Sequence, residues 1–285
     1  MEEPEPLRHH PALSRRHLCL IAAAASVPAT ARADLFNFKP FDLSGRFVQG
    51  GYAKGTAEPG REIRVDGILR GKTSAKGHFI IGFDRDAPEV CTLEISGEKP
   101  VFIDIDKTEY SIQRVDGLPP STVTPTDPAL LQRIARERAL KDQAFASRKD
   151  ADWFMGKFAK PLEKYRISGK FGNQRILNGE PRSPHYGIDL AAPTGTLVYA
   201  PQTARVVLAE PNMHFEGGLI FLDHGQGLIS MYLHLSGLNV KKDQIVQKGA
   251  IIGKVGATGR ATGPHLCWRL KWRDRALDPS LLSGI

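Results

Sequence analysis

The chain has 285 residues, a length suited to two domains, and its 41% hydrophobic and 25% charged residues are ordinary for a globular protein. Its net charge of +8 comes with no nucleic-acid motif and no interleaving of aromatic and basic residues, which argues against a nucleic-acid partner. No apolar run reaches the roughly 20 residues of a membrane-spanning helix, and 28 glycines with 20 prolines favour many short strands over long helices.

In chain order, residues 1–33 read as an export signal. Arg15-Arg16 precede an apolar stretch from Leu18 to Val27, and Ala31-Arg32-Ala33 has the small-x-small pattern of a cleavage site. The twin arginines also resemble a twin-arginine signal, although a general secretion signal has a similar layout. A periplasmic or otherwise exported protein is expected, with no stable membrane insertion once the signal is removed. A basic exported protein suits an anionic polymer such as cell wall.

Residues 34–115 carry short apolar alternations at 62–66, 78–83, 90–95, 101–105 and 110–114, separated by turn residues such as Asp66-Gly67 and Lys76-Gly77. The spacing predicts a small immunoglobulin-like β-sandwich without a catalytic grouping. Residues 116–160 form a linker and a charged helix: 116–126 are rich in Pro, Ser and Thr, and Asp127-Pro128 is a helix start, with Asp127 as cap and Pro128 in the first turn. The helix is expected to run to about Lys149. Residues 161–285 return to a β pattern, so the fold class is all-β apart from the linker helix.

Three groups in this last part could carry chemistry. His185 and Asp189 lie four apart, but Pro184, Gly187 and Pro193 argue for a turn running into a strand rather than a helix. Imidazole nitrogen and carboxylate oxygen are both good zinc donors, although the pair alone is weak evidence. From His265 to Trp272 the pattern alternates strictly. Leu266, Trp268, Leu270 and Trp272 share one face, and His265, Cys267, Arg269 and Lys271 the other. An imidazole and a thiol thus stand side by side, able to reach one metal or one substrate; a solvated His265 and a half-buried Cys267 would give the same pattern. Alternation along Ser230 to Leu235 puts Ser230, Tyr232 and His234 on one face, where His234 could be catalytic or a hydrogen-bonded core histidine. His224 reads as structural, in a hairpin turn.

Taken together, H-x-x-x-D, S-x-Y-x-H-L and G-P-H-x-x, with Gly259-Arg260-Ala261-Thr262-Gly263-Pro264-His265, closely resemble the lysostaphin/LytM family of peptidoglycan zinc metalloendopeptidases, over roughly Ile167 to Pro279. The resemblance implies a C-terminal β-sheet or barrel-like metallopeptidase domain at 161–285. It also implies Zn2+ held by His185 and Asp189, with His234 and His265 flanking the metal as catalytic groups and peptidoglycan as substrate. In the family the second histidine of a final H-x-H is the third zinc ligand; here that position is Cys267.

A thiolate is a good zinc ligand, so the metal site is expected to survive as His185, Asp189 and Cys267. Two anionic ligands instead of one make the metal a weaker Lewis acid. Two functions follow. One is an exported zinc endopeptidase hydrolysing peptide bonds in peptidoglycan stems or crosslinks. The alternative is a weakened or inactive LytM-like module that binds cell wall or activates another wall hydrolase. On sequence alone, Cys267→His is expected to raise hydrolysis. Tyr232 is a lesser candidate for oxyanion support.

Overall fold

The structure is a computed structural model that describes residues 41–285; the expected export signal, residues 1–33, lies outside the described residues. The described residues belong to one compact unit.

The first seven strands are β1 (Leu43–Arg46), β2 (Tyr52–Thr56), β3 (Glu62–Val65), β4 (Ile68–Lys72), β5 (His78–Gly82), β6 (Val90–Ile95) and β7 (Val101–Asp104). They form two antiparallel sheets, ordered β1-β2-β5 and β4-β3-β6-β7. Alternation decides what they bury. Cys91, Leu93 and Ile95 of β6 point inward, and Thr92 and Glu94 do not. Ile63, Phe79, Phe83 and Leu93 build the core of this part, and Leu228, Leu270, Trp272 and Leu277 from the far end of the chain complete it. The two β-rich parts therefore share apolar packing. Arg275 pairs with Asp66 at 2.7 Å and Arg70 with Asp274 at 2.6 Å across the same seam.

The segment 110–114, read from sequence as a last strand of the first part, pairs elsewhere. Strand β8 (Ile112–Val115) runs parallel to β10 (Gln174–Leu177), which also pairs with β11 (Glu180–Pro181). Alternating polarity marks a strand but does not name its partner. The helix α1 spans Pro128–Phe145; the Asp127 carboxylate accepts from the Leu130 amide, and Pro128 sits in the first turn. It ends short of Lys149 and buries little besides Glu137 and Ala144. Lys141 pairs with Glu216, and the Phe145 ring packs 4.8 Å from that of Phe221.

The remaining strands are β9 (Arg166–Gly169), β12 (Ile188–Ala191), β13 (Leu197–Tyr199), β14 (Ala204–Met213), β15 (Gly217–Asp223), β16 (Leu228–Leu235), β17 (Gly237–Leu238), β18 (Ile245–Val246), β19 (Ile251–Lys254), β20 (His265–Trp272) and β21 (Arg275–Leu277). The main sheet runs β18-β14-β15-β16-β20-β12-β9, with β21 beside β20, and a small sheet β13-β19-β17 lies apart. Val198 and Ile252 of the small sheet, with Val255 just after β19, pack with Leu190, Val206, Ile220, Tyr232, Leu266 and Trp268 of the main one. The opposite face of the main sheet carries Leu219, Phe221, Met231, Leu233 and Cys267, with Ala144 and Phe145 of α1 against it. β15 and β16 are buried along their whole length, as central strands covered on both faces must be.

Candidate metal centre

Strand register assembles the site. In the antiparallel pair β12/β20, Asp189 stands opposite Cys267 and Ala191 opposite His265. On the other side of β20, Cys267 stands opposite Leu233 of β16. His185 lies in the loop before β12, and its backbone amide donates to the Asn173 carbonyl at 2.8 Å. His185, Asp189 and Cys267 are all buried, and their donor atoms lie within 4.8 Å of one another.

The three donor atoms converge in the buried interior. His185 Nδ1 is 3.1 Å from the Lys170 carbonyl and donates to it in the neutral tautomer, leaving a lone pair on Nε2. That nitrogen is 3.1 Å from Asp189 Oδ1 and 3.4 Å from Cys267 Sγ. Asp189 Oδ1 is buried and has no hydrogen-bond partner of its own. A cation resolves this convergence of electron pairs. Zn–N and Zn–O bonds of about 2.0 Å and a Zn–S bond of about 2.3 Å give tetrahedral edges of roughly 3.3–3.5 Å, close to the spacings here. The donor set therefore fits zinc, with a fourth position left open.

Local structure fixes each ligand. A Cβ on Gly169 would fall 2.4 Å from Asp189 Oδ2, so only glycine at that edge position leaves room for the carboxylate. Oδ2 receives the Arg175 guanidinium of β10 at 2.9 Å. Burial alone would push the Asp189 carboxyl up, but the His185 imidazole and the Arg175 charge outweigh it and hold the carboxyl well below the usual carboxylate range. Burial also works against a charged His185, and the nearby Cys267 and Asp189 outweigh that and raise it. Arg269 donates from Nε to Cys267 Sγ at 3.4 Å.

His234 and His265 stand beside the ligands, ring centroids 4.8 Å apart. His265 Nδ1 is 2.8 Å from the Gly263 carbonyl, and His234 Nδ1 is 2.8 Å from the Thr258 carbonyl. Each backbone acceptor fixes a tautomer that leaves Nε2 without a proton. His265 Nε2 is 3.7 Å from Asp189 Oδ1. Burial lowers both histidines, His234 to about 4, so both rings are neutral near pH 7.

The alternation expected for β16 does not hold at its end. Tyr232 pairs with Ile220 and Leu235 with Gly218, so β16 uses one residue more than β15 between those pairs. His234 absorbs the extra residue with φ +65°, and its amide donates to the Glu216 carbonyl at 2.8 Å. The bulge turns the imidazole toward His265. Tyr232 and Ser230 stay with the core on the other side. The Tyr232 hydroxyl is 2.8 Å from Ser230 Oγ, and Ser230 Oγ is 2.7 Å from His224 Nε2, all fully buried. Tyr232 thus stands apart from the site, and the expected oxyanion contribution has no geometry to support it. Arg175, Gly169 and the carbonyls of Lys170, Thr258 and Gly263 were not singled out from sequence. They are framework contacts without a motif.

The cleft beside the ligands is lined by Gln113, Val115, Arg175, Arg260, Thr262 and His265, among others, and holds about 120 Å³. Part of its wall is the β8/β10 sheet. Cys91 and Cys267 are both buried free thiols, in separate core clusters.

Residues 183–279 match the model of Peptidase family M23. The chain is 41% identical over 116 residues to the peptidoglycan DD-endopeptidase ShyA of Vibrio cholerae, covering 40% of this chain and 27% of that protein. It is 34% identical over 119 residues to the DD-carboxypeptidase/endopeptidase Mpg of Neisseria meningitidis, covering 42% and 27%. The chain thus spans about a quarter of the length of these curated relatives. A solved Pseudomonas aeruginosa structure assigned to peptidase M23 superposes with a TM-score of 0.63 at 27% identity, covering 88% of this chain and 97% of that one.

Proposed function

We propose, from the membership of residues 183–279 in peptidase family M23, that the chain is an exported zinc-dependent endopeptidase that hydrolyses peptide bonds in peptidoglycan stems or crosslinks. The observation that carries the reading is the buried convergence of His185 Nε2, Asp189 Oδ1 and Cys267 Sγ beside two neutral histidines. His185, Asp189 and Cys267 would hold the metal. When bound, zinc supplies a Lewis acid for the peptide carbonyl and a more acidic water.

The chain's own residues do the rest. His234 and His265, neutral and held by backbone carbonyls at Nδ1, present Nε2 as a proton acceptor. One of them takes the proton of the attacking water as the C–O bond forms at the peptide carbon. The returned proton leaves on the amine nitrogen as the C–N bond breaks, giving a carboxylic acid and an amine, and the acid then passes its proton to the amine or to water. The imidazolium formed on that base stabilises the oxyanion until it gives the proton back, and the other imidazole, still neutral, accepts a hydrogen bond from the water and orients it. Arg175 holds Asp189 Oδ2, so that Oδ1 is the oxygen left for the metal.

A second reading has its own observation. Cys267 brings a second anionic donor to the set, which makes a bound metal a weaker Lewis acid. In that reading the chain binds wall, or activates another hydrolase, with little cleavage of its own. Incubating purified cell walls with the reduced protein, with and without a chelator, separates the two. Chelator-sensitive release of muropeptides is expected; intact walls in both arms would rule out the endopeptidase.

A further inference from the structure

Resting on the assignment of Cys267 as a zinc ligand, we propose that Arg269 is a positioning residue of the metal centre: its guanidinium holds the Cys267 thiolate and offsets the extra negative charge that a cysteine brings to this ligand set.

Arg269 is half-buried on β20, and its one side-chain hydrogen bond among the described residues runs from Nε to Cys267 Sγ at 3.4 Å. Among the described residues it makes no ion pair with a carboxylate, whereas Asp189 has Arg175 at 2.9 Å. A guanidinium is always charged, and keeping it partly out of water is costly unless a partner compensates. A neutral thiol is a weak acceptor, and a thiolate is a strong one. When a metal holds the sulfur as a thiolate, the pairing satisfies both groups.

The chain also makes room for this side chain. A Cβ on Gly187 would fall 2.6 Å from Arg269 Cγ and 2.8 Å from the Trp268 carbonyl. The loop that carries His185 can therefore pass over Arg269 only as glycine. Cys267 itself is 1% exposed, so water does little to shield its charge.

The charge count follows. A doubly charged cation with two anionic ligands is neutral, and the guanidinium restores one positive charge. A site with two histidines and one aspartate carries that charge without help. Arg269 therefore reduces the electron density that the sulfur donates to the metal, which preserves Lewis acidity despite the thiolate. Position 269 acts through Cys267 and has no direct role on a substrate.

Cobalt(II) in place of zinc gives the test, because a cobalt–thiolate bond has a charge-transfer band in the near ultraviolet. In the reduced full-length protein the band is expected. Arg269→Met is expected to move it to lower energy, since an unpaired thiolate gives up an electron more easily. Arg269→Lys, which keeps the charge and serves as a milder second variant, is expected to leave the band closer to that of the parent. With zinc and cell-wall substrate, Arg269→Met is expected to lower kcat about tenfold with little change in KM. In a Cys267→His background the same substitution is expected to raise kcat, because the guanidinium there repels the metal with no thiolate to offset. A band unmoved by Arg269→Met, or the same loss of kcat in both backgrounds, overturns the inference and leaves the zinc reading intact. A parent protein with no cobalt–thiolate band overturns the ligand assignment and this inference together.

Discussion

Asp189 and Cys267 stand directly opposite each other in the antiparallel pair of β12 and β20, so the two anionic donors of the candidate zinc site are set by a single strand register. Slipping that register by one residue would turn one of them to the other face of the sheet. Because the register is pinned by apolar neighbours Leu190, Leu266 and Trp268, all fully buried, the site is held by the core and not by the metal.

This separation predicts that ligand loss empties the site without unfolding the chain. Asp189→Asn and Cys267→Ala are each expected to bring zinc from about one per chain to near none, while changing metal-free stability by about 1 kcal/mol. Metal analysis together with urea unfolding of the chelated protein checks it. Unfolded variants would show that the site, not the core, holds this part of the sheet.

Gly169 offers a test that touches no ligand. Gly169→Ala places a methyl carbon 2.4 Å from Asp189 Oδ2 and must displace the carboxylate or the edge strand. Zinc affinity is expected to fall by about ten- to a hundredfold, as for other changes to groups that orient ligands. Chelator competition measures it, and an unchanged affinity would mean that the edge strand yields instead.

The single variant Cys267→His, attractive from sequence, is expected to disappoint. The new imidazole would meet the Arg269 charge where the sulfur now sits, 3.4 Å away. Muropeptide release by Cys267→His should be lower than that of the parent, and should recover when Arg269→Met is added. A single variant more active than the parent would show that the guanidinium does not oppose the metal.

Tyr232→Phe separates core from chemistry. The hydroxyl belongs to the buried chain Tyr232–Ser230–His224, on the side of the sheet away from the metal donors. Its removal is expected to cost about 1 kcal/mol of stability, with zinc content unchanged and kcat within about twofold of the parent. A larger loss of kcat at full zinc content would restore the tyrosine to the active centre.

His224 should govern part of the acid sensitivity. Burial lowers it from its ordinary value to about 4. Above about pH 6.5 the ring is neutral both folded and unfolded, and it adds no pH dependence. Below that, the unfolded chain binds a proton that the folded chain refuses, so stability falls as pH drops from about 6.5 to about 4, by roughly 3 kcal/mol in all. Urea midpoints at pH 7.5 and 4.5 for the parent and for His224→Gln check it; the variant should lose about 2–3 kcal/mol less between the two.

Much of the candidate site was legible because strands write their faces into sequence. The alternation from His265 to Trp272 separates Leu266 and Trp268 from His265 and Cys267, and the structure buries the first pair in the core between the sheets. Asp127-Pro128 likewise marks the start of α1. What escaped the sequence was everything decided by partners distant in the chain. The bulge at His234 comes from the match between β16 and β15, and no local pattern marks the one extra residue. Arg175 reaches Asp189 only because β10 pairs in parallel with β8, a choice that alternating polarity at 110–114 could not reveal.

The stretch that matches the family begins at residue 183, yet Gly169, the Lys170 carbonyl and Arg175 lie before it. The limits of that match therefore cut through the architecture of the site. A fragment trimmed to the family limits would keep all three donors and both histidines while losing the edge strand β9, the brace behind His185 and the guanidinium on Asp189. What the match delimits and what folds as one piece differ here, and grafting this chemistry onto another protein would require the longer piece.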